Sequence, residues 1–421
     1  MHTAVYGSGY LGTIISACLA DFGLPVTCFD EDSARLKEVA QGNLGFYEKN
    51  LEEVLRRNVR AGRLMYSTEV AATAAKSNVI FLAEDTHTQV EDLALRLAQM
   101  TRPRTVLVVS SPVPVGTCAR IERRIKDAGL AITIVSQPMF LTNGCAVEDF
   151  NWPDRILLGT SSSEAVMTLK QTYRPLVMRG VPVIVTNHET AELVREASTA
   201  FVATKIAFIN EIASLSERVK ADAMDLALAL GLDKKIGPRC LQPGSVFAGP
   251  FAETEMDSLA TLASGNGVSL RILSAAREVN RSLPDRIVDK ITSLVDNIKG
   301  KELGILGLAF KPNTNYIAGS TSLLLARNLI TQGAHVRAYD PVAVSEGNTE
   351  LSGIHCCVSP YAAAEGSDAL VVGTGWPEFR ALDFEKIKKL LKRPIIIDTK
   401  NLLDSGRLRS MGYQYVGVGR A

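Results

Sequence analysis

The chain holds 421 residues with a formal net charge of +1, and 46% of them are hydrophobic against 22% charged. That balance builds large cores, and at roughly 150 residues per domain the length implies two or three of them. A near-neutral chain offers no field for nucleic acid or anionic lipid, and no apolar run reaches the roughly 18 residues that a membrane span needs.

A strand opens the chain at 3–6, with no basic-then-apolar leader before it, so a soluble, cytoplasmic protein is the expectation. A helix follows at 10–21 and a second strand at 25–29. Further strands fall at 79–83, 105–109 and 131–135. Short apolar runs separated by helical stretches imply a parallel sheet with helices on both faces. From 188 to 220 there is neither Gly nor Pro, and Leu193, Ala197, Ala200, Phe201, Ala207, Phe208 and Ile212 recur at helical spacing. This reads as one long helix, a connector between domains and a surface for a homodimer. A helical block at 221–232, an irregular Gly- and Pro-rich stretch at 237–249 and helices through about 299 follow. A second α/β alternation then begins: a strand at 303–307, a helix at 320–332, and strands at 335–339, 369–372 and 394–397. The fold class is α/β, with two Rossmann-like doubly wound domains joined by a long central helix. The expected boundaries are 1–187, 188–299 and 300–421. The seven cysteines include no CxxC pair, and Cys356 and Cys357 are adjacent. They read as reduced thiols, and no metal site is expected.

Gly7-Ser8-Gly9-Tyr10-Leu11-Gly12 sits directly after a strand and opens a helix. In that setting Gly7 permits the turn, Gly9 lets a pyrophosphate approach the backbone, and Gly12 lets the helix pack closely. The helix N-terminus then faces the phosphates with free N–H groups. Asp30 closes the second strand. An acid there accepts from ribose hydroxyls and repels a 2′-phosphate, so the expected cofactor is NAD rather than NADP. Tyr10, Leu11, Arg35, Thr86 and Thr117 complete the expected cofactor set. His87, beside Thr86, reads as a loop residue.

Six signatures stand in order: GSGYLG at 7–12, PVGT at 114–117, PMFLTNGCAVEDFNWPDRILLG at 138–159, GLAFKPNT at 307–314, AYDP at 338–341 and DTKN at 398–401. With them the chain resembles the UDP-glucose/GDP-mannose dehydrogenase family from end to end. The resemblance implies a four-electron oxidation of a sugar C6 alcohol to a uronate. In that chemistry a cysteine thiolate captures the aldehyde and water cleaves the resulting thioester. It also implies a substrate set of Phe140, Leu141, Asn143, Lys235, Phe310 and Lys311, with a nucleotide diphosphate as part of the ligand.

The chain departs from the family where that chemistry resides. Phe251 takes the place of the nucleophilic cysteine, Thr254 that of a lysine and Glu255 that of an aspartate. Pro112 replaces a threonine that holds water. Met139 and Asn143 stand in the segment that has lost both of the family's glutamates. Arg195 and Thr199 replace a lysine and an asparagine, and Ala318 replaces an arginine. Phenylalanine cannot attack a carbonyl, and Arg195 stays protonated. Glu255, Arg195 and Thr199 are the catalytic candidates that remain. Cys145 and Cys240 are the thiols open to a relocated nucleophile, against a plain structural role. Three functions fit: an NAD-dependent oxidoreductase with altered chemistry on a nucleotide-linked substrate, a non-catalytic binding relative with a regulatory role, and a UDP-glucose dehydrogenase with a displaced nucleophile.

Overall fold

The computed structural model describes residues 1–86, 88–249, 252–344 and 348–420. The chain divides into two units, Met1–Ala197 and Ser198–Ala421. The division falls inside the helix His188–Val219, which runs unbroken for 32 residues as the lack of Gly and Pro predicts. Among the described residues no helix is long and apolar enough to cross a membrane.

In the first unit one sheet is built from β1 (Thr3–Tyr6), β2 (Val26–Phe29), β3 (Leu64–Ser67), β4 (Val79–Leu82), β5 (Val106–Val109), β6 (Thr133–Ser136), β7 (Ile156–Gly159) and β8 (Val183–Thr186). Their order is β3-β2-β1-β4-β5-β6-β7-β8, and only the β6–β7 pairing is antiparallel. Strands β1, β2, β4 and β5 are buried along their whole length. Helices cover both faces, so these strands read as continuous apolar runs. The sequence reading lacks β3, β7 and β8. The last of these has an exposed pair, Ile184 and Val185, and carries no alternating pattern.

Helix α1 (Tyr10–Asp21) starts at Gly9 and lays Ile14, Ile15, Cys18 and Leu19 into the core beneath the sheet. Each large apolar side chain fully buried in this way stabilises the unit by about 1.5–3 kcal/mol. Helix α2 (Ser33–Gln41) begins where Asp32 accepts from the Arg35 N–H, and it ends at the left-handed Gly42.

In the second unit β9 (Glu302–Leu306), β10 (His335–Tyr339), β11 (Ile354–Cys356), β12 (Ala369–Val372), β13 (Ile395–Asp398) and β14 (Gln414–Gly417) form a parallel sheet. The strand order is β11-β10-β9-β12-β13-β14. The helix Arg271–Val295 packs Leu283, Ile287, Val288 and Ile291 into the core of this sheet. The irregular stretch at 237–249 is held from two sides. Asn210 on the long helix accepts from the Gly244 N–H at 2.8 Å and donates to the Ser245 carbonyl at 2.9 Å. Lys400 Nζ, buried after β13, donates to the Gly244 carbonyl at 3.1 Å and to Ser245 Oγ at 2.8 Å.

Candidate functional site

In each sheet the strand order reverses beside its first strand, between β1 and β4 and between β9 and β12. In a doubly wound sheet, ligands bind in the crevice that opens at this point, outside the carboxyl ends of the strands. In the first unit the crevice is roofed by the glycine loop after β1 and by Ala83, Glu84 and Asp85 after β4.

The glycines are there for space. Gly7 has φ +108°, and a Cβ at Gly12 would run into the Gly7 carbonyl. A Cβ at Gly9 would run into the Asp85 carboxylate. Asp30 fixes the loop from below: its Oδ2 accepts from the Ser8 N–H at 2.8 Å and from Ser8 Oγ at 2.6 Å, and its Oδ1 accepts from the Asp32 N–H at 3.0 Å. Arg35 Nε donates to the Ser8 carbonyl at 3.1 Å. Gly7, Gly9, Tyr10, Leu11, Gly12, Asp30 and Arg35 are thus brought together at one point.

Two acids at the same point are missing from that prediction. Asp85 Oδ2 accepts from the Tyr10 N–H and Oδ1 from the Leu11 N–H, both at 2.9 Å. Helix α1 has no acidic residue in its first turn and no local side-chain cap, so this carboxylate serves as its N-terminal anion. Glu84 lies beside Gly7. Burial, together with the charges of Asp30 and Asp85, pushes its carboxyl up to about 7, with Arg35 opposing. The visible signal was Glu84-Asp85 directly after an apolar strand in a chain that carries GxGxxG.

The loop fits a dinucleotide. The glycines leave the backbone bare, an acid stands at the end of β2, and the N–H groups of Tyr10 and Leu11 already hold an anionic group. Ser8, Gly9, Tyr10 and Leu11 would face the pyrophosphate and Asp30 the adenosine ribose.

The rest of the expected cofactor set is more dispersed. The Tyr10 hydroxyl donates to Glu48 Oε2 at 2.8 Å, and Glu48 also accepts from the Gly144 and Ala146 N–H groups at 2.6 and 2.8 Å. This buried carboxylate ties the glycine loop to the 138–159 signature. Thr86 is exposed, its hydroxyl 3.0 Å from that of Thr88. Thr117 is buried and its hydroxyl donates to the Pro114 carbonyl at 2.6 Å. It opens the helix Thr117–Asp127, whose Gly116 and Cys118 N–H groups donate to Glu192 at 2.6 and 2.8 Å. Burial raises the Glu192 carboxyl, opposed by those same N–H groups.

Of the substrate set, Phe140 lies under the Arg155 guanidinium at 3.9 Å, Leu141 packs on the first core, and Asn143 is half-buried. In the second unit the Phe310 ring meets Tyr316 edge-on at 5.9 Å, with Lys311 Nζ 5.6 Å from its centre. Lys235 is exposed, its N–H held by Asp233 Oδ1 at 2.9 Å. The loop after β9 is closed by the chain itself. Buried Asp340 accepts from the Leu308 and Ala309 N–H groups at 2.8 and 3.0 Å.

Of the catalytic candidates, Thr199 donates to Glu255 Oε2 at 2.5 Å. Arg195 lies on the stretch of the long helix that belongs to the first unit. Phe251 and His87 lie outside the described residues. Cys145 is exposed and Cys240 partly so, and none of the seven cysteines forms a disulfide. Among the described residues no group of three or more acidic, His or Cys side chains could hold a metal.

A glycine loop over the switch point of a β3-β2-β1-β4 parallel sheet, with an acid closing β2, defines a dinucleotide-binding α/β protein. The chain belongs to the UDP-glucose/GDP-mannose dehydrogenase family: the NAD binding domain of that family matches residues 1–177, the central domain 189–282 and the UDP binding domain 304–405. It is 34% identical over 435 residues to a UDP-glucose 6-dehydrogenase of Rhizobium meliloti, covering 100% of both chains. It is also 34% identical over 430 residues to one of Bacillus subtilis, covering 99% of this chain and 93% of that one. Among solved structures, a UDP-glucose dehydrogenase from Pyrobaculum islandicum superposes with a TM-score of 0.88 at 28% identity, covering 100% of this chain and 98% of the other. The cofactor is NAD, and the second Rossmann-like sheet belongs to a UDP-binding domain.

Proposed function

We propose that the protein is an NAD-dependent oxidoreductase acting on a nucleotide-linked substrate, and that it does not oxidise UDP-glucose to UDP-glucuronate through a covalent cysteine adduct. The observation that carries this is the hydrogen bond between Thr199 and Glu255 at 2.5 Å. It leaves a carboxylate and a hydroxyl joined at positions where the family carries an asparagine and an aspartate, in a chain whose cysteine position is Phe251. NAD, when bound, supplies the hydride acceptor. The chain then has to position a carbinol and accept its proton, and Glu255 is the base we assign, oriented by Thr199. Arg195 supplies a fixed cation for a phosphate or carboxylate of the substrate. Phe310 and Lys311, with Lys235, serve the nucleotide end. Met139 and Phe251 make the sugar end more apolar than a hexose prefers.

The same reading divides the chain at 1–187, 188–299 and 300–421, places it in the cytoplasm and makes it a homodimer. The dimer rests on exposed Phe201, Phe208, Leu215 and Val219, which share one stripe of the long helix. A second reading, a non-catalytic relative that binds nucleotides, is favoured by Asp85, which engages the helix N-terminus that receives the phosphates of NAD.

The test is NADH formation with UDP-glucose, combined with mass analysis for uronate. The expected result is turnover near background, because loss of one positioned acid or base costs about 10²–10⁴-fold and several such groups are changed here. Phe251→Cys alone should not restore it. A melting screen should rank UDP above UDP-glucose. Efficient UDP-glucuronate production by the unaltered protein refutes the proposal and moves the nucleophile to Cys145 or Cys240.

A further inference from the structure

We propose that Asp85 is a built-in competitor for the phosphates of NAD: its carboxylate holds the helix α1 N-terminus until it is displaced, and so sets how tightly this protein binds its cofactor. Three observations meet at this point. The two N–H groups that a pyrophosphate meets at the start of α1, those of Tyr10 and Leu11, donate to the two oxygens of Asp85. The same carboxylate lies over the bare backbone of Gly9, where the pyrophosphate approaches. Glu84 and Asp30 add two further acids around the loop, opposed by the cation Arg35 from α2.

A carboxylate and a diphosphate compete for one anion seat, because both satisfy the same unpaired N–H groups and the same positive helix end. Asp85 is held to the chain and is always present at high local concentration. NAD therefore sees only the fraction of molecules in which the seat is open, and its apparent affinity falls by that fraction. The contact of a carboxylate with a helix N-terminus corresponds to about a tenfold change in an equilibrium constant. Asp85 has room to withdraw: it is itself partly exposed, and Thr86 and Thr88 on the same connection between β4 and the helix Val90–Met100 are exposed to solvent.

Asp85 does not abolish the cofactor site. The loop that receives NAD is complete, and the competitor occupies only its phosphate end. Adenosine, which lacks the pyrophosphate, should be indifferent to Asp85, whereas ADP-ribose, which carries it, should not.

The experiment uses the full chain and two variants, Asp85→Ala and Asp85→Asn. NAD and ADP-ribose are titrated by calorimetry, and adenosine is followed by its shift of the melting temperature. Asp85→Ala should bind NAD and ADP-ribose about tenfold more tightly than the parent, and Asp85→Asn should fall between the two. Adenosine should shift all three proteins alike. Without ligand, Asp85→Ala should melt slightly lower than the parent, since α1 loses its anion. If Asp85→Ala does not fold, Asp85→Asn carries the test, because it keeps the shape and removes the charge. Equal or weaker NAD binding by the variants overturns the proposal, as does tightening that extends equally to adenosine. Absence of NAD binding by parent and variants alike overturns the cofactor assignment and the proposal together.

Discussion

Replacing Gly12 by alanine puts one methyl group where α1 touches the loop that precedes it. The added Cβ would sit inside the contact shell of the Gly7 carbonyl oxygen, 2.8 Å from its carbon and 3.4 Å from the Ala83 carbonyl oxygen. These atoms are backbone and cannot rotate away, so the helix must lift from the β1 end. Overpacking of this kind costs about 1–3 kcal/mol, and a rigid neighbour places it near the upper end. Alanine returns about 1 kcal/mol through its better helix propensity. The net loss is about 2 kcal/mol, or roughly 4–8 °C in the melting temperature of a domain of this size. NAD affinity should fall as well, because lifting α1 moves the Tyr10 and Leu11 N–H groups. Scanning calorimetry with and without NAD reads both effects. Gly265→Ala is the control: it ends the helix Ala252–Gly265 with no atom within 4 Å of the new Cβ, so it should be neutral or slightly stabilising. A Gly12→Ala protein that melts with the parent and binds NAD equally well would refute the close-approach argument.

Glu84 gives a pH signature. Its folded-state pKa is raised to about 7, so the folded protein holds a proton that the unfolded chain releases from about 4.5 upward. Stability should therefore fall as pH rises through this window and level off above it, by about 1–2 kcal/mol after allowing for partial exposure; chemical denaturation of Glu84→Gln should lack this fall. Lys400 gives the opposite slope. Burial lowers its pKa from 10.5 to about 8, so the unfolded chain holds the extra proton between those values and stability should rise with pH there, by about 3 kcal/mol. Lys400→Met should flatten that rise in denaturation curves at alkaline pH, and a rise that persists in the variant would assign it to another group. Sedimentation at micromolar concentration should give twice the chain mass of 45.4 kDa, and Phe208→Asp should shift it toward the single chain. A parent protein that sediments as one chain would remove the dimer.

Much of the first unit was legible residue by residue. Helix α1 lies over the predicted residues 10–21, and the glycine loop and Asp30 meet where the motif places them. They are legible because each depends on its near neighbours: a strand, a turn that needs bare backbone, and a helix with an apolar face. The long helix is legible for the same reason, since the absence of Gly and Pro is a local property.

Tertiary structure alone decided which distant polar groups meet. Asp85 is separated from Tyr10 by 75 positions, Glu48 from Ala146 by 98 and Lys400 from Gly244 by 156. No periodicity links such pairs. They meet because the strand order sets β4 beside β1 and because each buried carboxylate or ammonium must find partners once water is gone. Residue types and local spacing carry the cofactor motif. The acid after β4 leaves a trace in the sequence, but its pairing with the phosphate seat was decided only when the chain had folded, because its partners are backbone N–H groups that carry no residue-type signal of their own.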